Sequence, residues 1–153
     1  MQSQLAEEIS LEVWQDPQGE VVLHSSDRKT CIYFGCWDEK GDPAEYLAKI
    51  ILEHCCATKF VHSSYPPYEV TGKRSCSAIL NVFDSQWLRA LVERKKELHP
   101  NLTNPQEAYN GKLYKHFVVL GHDVYVDVIA TGFRIEKIDR CCAGELVYLI
   151  DNA

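Results

Sequence analysis

The sequence has no apolar run near the 18 or so residues that a membrane-spanning helix requires. It has no Cys-x-x-Cys, and in the adjacent pairs Cys55-Cys56 and Cys141-Cys142 the side chains diverge, so neither pair alone makes a metal clamp. Gly-x-Gly-x-x-Gly, Gly-x-Ser-x-Gly and His-Glu-x-x-His are also missing, so a Rossmann nucleotide unit, a serine α/β-hydrolase and a zinc metalloprotease of the common kinds are poorly supported. Thr71-Gly72-Lys73-Arg74 imitates the end of a phosphate loop. However, Pro67 stands where the first glycine belongs, and Arg74 where a hydroxyl must hold magnesium. Positive charge is also scarce. With 16 basic against 22 acidic residues the net charge is -6, a balance that repels phosphate backbones, so no nucleic-acid partner is expected. Arg94-Lys95-Lys96 is flanked by Glu93 and Glu97 and reads as a solvated helix face.

What is present is an ordinary globular composition: 153 residues, 46% hydrophobic and 25% charged, enough for one core and expected to form one domain over 1–153. The first eight residues carry acid where a secretory leader carries base, with no apolar segment behind them, so a cytoplasmic chain is expected, with no membrane partner. The seven cysteines cannot all pair internally and mostly lie in apolar runs, as reduced, buried thiols do. No cofactor is implied. His54, Cys55 and His62, with Cys31 or Cys36, have metal-ligand chemistry but match no zinc module, so no metal site is assigned.

Alternation predicts a hairpin from Ile9 to Leu23, reversed by a type I turn at Asp16-Pro17-Gln18-Gly19. The apolar run Thr30–Trp37 reads as a buried strand. Asp42-Pro43-Ala44-Glu45 has the signature of a helix start, and Leu47, Ile50, Ile51, His54 and Cys55 then fall on one helical face. A helix over about 43–56 follows. Residues 75–83 alternate as a strand. Asp84 and Ser85 cap a second helix over about 85–98, whose stripe is Trp87, Leu88, Leu91, Val92 and Leu98. Phe133–Ile138 and Glu145–Ile150 are further candidate strands. The resulting expectation is an α+β fold: an antiparallel or mixed sheet of about six to eight strands with two main helices packed on one face.

Lys112 to Ala130 holds two alternating runs around Gly121-His122, and a two-residue type II′ turn there sets the register. Leu120 then faces Asp123, Val118 faces Tyr125, His116 faces Asp127 and Tyr114 faces Ile129. Phe117, Val119, Val124, Val126 and Val128 share the other side, the natural seat for the helices. A carboxylate across from an imidazole prepares it for acid–base work. Two functions follow. The leading one is a non-catalytic binding or regulatory module, possible as a homodimer, that holds a protein partner or small ligand. Its surface would be the open sheet face and the rigid loop Tyr65-Pro66-Pro67-Tyr68, followed by Lys73 and Arg74. The alternative is a small enzyme with His116 as base, Asp127 as its orienter, and Tyr125 or Tyr114 stabilising developing charge.

Overall fold

The computed structural model describes residues 4–71 and 79–144, together with Leu146 and Ile150. The strands are β1 (Gln4–Ile9), β2 (Trp14–Gln15), β3 (Val21–Ser25), β4 (Thr30–Trp37), β5 (Pro43–Glu53), β6 (Ala57–Val61), β7 (Tyr68–Thr71), β8 (Ile79–Val82), β9 (Lys115–Leu120), β10 (Tyr125–Ala130) and β11 (Gly132–Asp139). The helices are α1 (Gln86–Leu98) and the four-residue α2 (Arg140–Ala143). One sheet has the order β6-β10-β9-β8-β1-β7. The other has the order β11-β5-β4-β2, with β3 also on β4. Among the described residues all strand pairings are antiparallel except β1 with β7. No helix among the described residues is long and apolar enough to cross a membrane.

The expected α+β layout is therefore overturned: strands make up 49% of the chain and helix 14%, so the second sheet takes the layer assigned to helices. The core lies between the sheets, where Ile32, Phe34, Ala48 and Ile50 meet Ile79, Phe117, Val119, Val126 and Val128. Phe117 stands edge-on to Phe133, with ring centroids 5.3 Å apart. The apolar side of β9 and β10 thus packs against a sheet, and α1 belongs to the opposite side.

The segment expected to be helix 43–56 is β5, central between β4 and β11. Ala44, Ala48, Ile50 and Leu52 face the inter-sheet core at period two, while Leu47 and Ile51 are buried on the reverse face. A strand covered on both sides is apolar throughout, and such a run also satisfies a helical stripe. Pro43 suits the first residue of a strand as well as the first turn of a helix. The helix-cap signal at Asp42 belongs to a turn instead: Asp38 Oδ1 accepts from Lys40 N at 2.9 Å and Asp42 N at 3.0 Å, and Gly41 takes φ 80°.

Three local readings also change. The Asp16–Gly19 turn forms, with Gly19 N donating to Asp16 O at 3.2 Å, but its flanks do not pair with each other. Trp14 and Gln15 pair with Trp37 and Cys36, and β3 pairs with β4 from Phe34 back to Thr30. The turn is thus an outward loop in one edge strand. The 75–83 strand is seen as Ile79–Val82; residues 75–78 lie outside the described residues. Within the expected strand 145–150, the described residues Leu146 and Ile150 are helical.

Two strands run through both sheets. β5 continues into β6 past His54 (φ 49°), and β10 continues into β11 past Thr131. Hydrogen bonds carry the pairing around this corner: Cys56 N to Ile129 O and Thr131 N to Glu53 O, each 2.9 Å.

Candidate functional site

The β9–β10 hairpin is closed by Gly121–Val124, with Gly121 N donating to Val124 O at 2.8 Å. The expected two-residue turn is therefore corrected to a four-residue one. The register moves by two: Leu120 pairs with Tyr125, Val118 with Asp127, and His116 with Ile129. A shift of two preserves the faces, because strand side chains alternate with period two. His116 and Asp127 thus become diagonal neighbours on one face, and His116 Nε2 lies 2.7 Å from Asp127 Oδ1.

That face is not wet. His116 is 1% exposed and Asp127 4%. Two residues complete a buried polar chain. Ser85 Oγ lies 2.7 Å from His116 Nδ1, and the Tyr68 hydroxyl donates to Asp127 Oδ1 at 2.6 Å. Ser85 is also the N-cap of α1, accepting from Leu88 N at 3.1 Å. One proton assignment satisfies every atom. Tyr68 O–H and His116 Nε2–H donate to the carboxylate, Ser85 O–H donates to Nδ1, and Leu88 N–H donates to Ser85 Oγ. Among the described residues no buried side-chain polar atom is left without a partner.

Aromatic rings close over the imidazole. Trp87 and Tyr68 stand edge-on to it, at centroid distances of 5.3 and 5.6 Å. Lys59, opposite Asp127 on β6, lays its Nζ 4.1 Å over the Trp87 ring. Burial, then the neighbouring Asp127 carboxylate, hold the Tyr68 phenol well above its ordinary ionisation range. The phenol therefore stays a donor.

Of the four expected acid–base residues, His116 and Asp127 are in contact. Tyr125 is buried on the same side and stacks edge-on to Tyr68 at 6.5 Å. Tyr114 precedes β9 and lies beneath Lys95, with Nζ 5.7 Å from its ring centre. Burial pushes the ionisation of both phenols to higher pH. The expected partner loop divides. Tyr65 is 88% exposed, Pro66 half-buried and Pro67 exposed, whereas Tyr68 turns inward to Asp127. Lys73 and Arg74 lie outside the described residues. No group of three or more His, Cys, Asp or Glu among the described residues is placed to hold a metal.

A groove of about 530 Å³ opens beside this chain, between α1, the end of β8 and the start of β9. Ser85 and His116 lie in its wall, with an apolar lining that includes Leu88 and Val92 and a charged lining of both signs, Asp84 and Glu93 beside Arg89, Lys96 and Lys115. Sequence reasoning took Ser85 only for a cap and Tyr68 only for a loop aromatic. The capping pattern at 84–85 was the one available signal for Ser85; its meeting with His116 depends on tertiary structure. No family model, curated protein or solved structure matches the chain.

Proposed function

We propose that this chain is a cytoplasmic binding module whose ligand is a small molecule held in the groove beside α1. The observation that carries this reading is the state of the helix. α1 has an apolar stripe, yet none of its residues is buried. Leu88 and Val92 instead border a cavity of about 530 Å³, a size typical of small-ligand sites. The groove combines apolar walls for a ligand's body with charged side chains at its rim, where Arg89 and Lys96 are paired to Asp84 and Glu93 and Lys115 would hold a polar end. A protein partner is a weaker fit, because Tyr68 has turned inward and Tyr65 alone remains of the loop's exposed aromatic surface. The test is a ligand-observed NMR screen of small acids and amphiphiles. Val92→Glu should abolish binding of any hit while circular dichroism stays unchanged. A hit that binds the variant equally well places the site elsewhere and refutes this reading.

A second reading, a small acid–base enzyme, is favoured by the 2.7 Å contact between His116 and Asp127 at the groove wall. A carboxylate so placed orients the imidazole and stabilises its protonated form during proton transfer.

A further inference from the structure

We propose that Ser85 is the nucleophile of an acyl-transfer site, with His116 as its base and a small carboxylic ester in the groove as substrate. This rests on the enzymatic reading and names its reaction and substrate class. Asp127 and Tyr68 are positioning residues.

Three observations carry it. First, the connectivity is that of an activated serine: hydroxyl to imidazole at 2.7 Å, imidazole to carboxylate at 2.7 Å. The ring uses Nδ1 toward the serine and Nε2 toward the acid, which leaves both roles intact because each nitrogen has its own partner. Second, Ser85 follows a sharp strand-to-helix turn. β8 ends at Val82, Asp84 takes φ 47°, and α1 begins at Gln86. The hydroxyl therefore sits at the positive end of a 13-residue helix, which favours negative charge developing on Oγ. Third, the N–H of Gln86, the residue after the serine, already holds an amide carbonyl: Gln4 Oε1 at 2.9 Å. In hydrolases with a strand–turn–helix elbow, that N–H is an oxyanion donor.

The chemistry balances without a cofactor. Oγ attacks the ester carbon as its proton passes to Nδ1, and the C=O pair moves onto oxygen. The carbon–alkoxy bond then breaks, and Nδ1 returns the proton to the leaving alcohol. Water repeats the sequence on the acyl-serine, releasing the acid and restoring the hydroxyl. The apolar acyl chain would lie along Val82, Leu88 and Val92.

The test is covalent capture. The wild-type protein is treated with an alkyl fluorophosphonate, and the adduct is mapped by tandem mass spectrometry. One adduct on Ser85 is expected. Ser85→Thr keeps a capping hydroxyl and should label at least about ten-fold more slowly, and His116→Gln about 100-fold more slowly, as loss of a general base implies. Gln4→Ala removes the competing carbonyl and should speed labelling by about two- to ten-fold, the worth of one hydrogen bond. No adduct, an adduct elsewhere, or equal rates in wild type and Ser85→Thr overturns the nucleophile. If labelling fails while His116→Gln abolishes turnover of another substrate, the acid–base reading stands and only this assignment falls. Heat-denatured protein should not label, because only the folded site activates the hydroxyl; equal labelling of native and denatured protein would also overturn the nucleophile.

Discussion

Replacing Ser85 by alanine removes two things at once. The first is the helix cap, in which Oγ accepts from Leu88 N; losing such a cap costs about 1 kcal/mol. The second is the partner of a buried imidazole nitrogen, since Nδ1 is bonded by Ser85 at 2.7 Å inside a site where His116 is 1% exposed. Orphaning a buried polar atom costs about 1–3 kcal/mol. The expected loss for Ser85→Ala is therefore about 2–4 kcal/mol, a large part of the 5–15 kcal/mol that holds a typical domain folded. Ser85→Thr keeps both bonds and should stay within about 1 kcal/mol of wild type. Urea unfolding followed by tryptophan fluorescence reads the difference. With a slope of about 2 kcal/mol/M, the alanine midpoint should fall by about 1–2 M at unchanged slope. An alanine variant within about 0.5 kcal/mol of wild type would refute the claim that this serine holds a buried chain together.

Three further outcomes are expected. Tyr68 ionises above its unfolded value near 10, so its contribution is complete below about pH 10 and is lost as the pH climbs beyond it. Tyr68→Phe should make the fall in urea midpoint between pH 9 and 11 shallower, and an unchanged slope counts against the burial of that phenol. Gly121→Ala would put a methyl 2.8 Å from Val124 Cγ2 and 3.0 Å from Val21 Cγ2, which should cost about 1–3 kcal/mol; a thermal midpoint equal to wild type would show that the loop gives way freely. Burial pushes the Cys36 thiol up to about 11 and Cys31 is fully enclosed, whereas Cys56, Cys141 and Cys142 are exposed. Iodoacetamide at pH 8 should therefore modify the exposed three in the native protein and Cys31 and Cys36 only in denaturant, as peptide mapping would show; equal modification is the contrary result.

The hairpin and the β5 segment show what a single sequence does and does not reveal. The cross-strand pairing of His116 with Asp127 was wrong by two residues, yet their contact formed because the error was even and alternation assigns faces independently of register. What lay above that face was not legible. The approach of Tyr68 and Trp87 depends on the start of β7, 48 residues upstream of His116, and on a helix seated by tertiary contacts. β5 was misread because a strand buried on both faces carries no alternation. Its Leu47, Ile50 and Ile51 satisfy a helical stripe as readily as a ladder. The α1 helix was legible because its cap, stripe and charged outer face agree, which is the condition under which local signals persist in the folded chain.

The two strands that turn the corner between the sheets bear on how any guest could enter. Because the ladder is unbroken at Cys56 and Thr131, the sheets cannot slide apart without tearing consecutive backbone bonds. The groove lies outside that double layer, between α1 and the ends of β8 and β9, so a guest can reach it without either sheet moving. The stiff double wall supplies the floor of the site, while α1, its outer side, is held by side chains rather than by a backbone ladder.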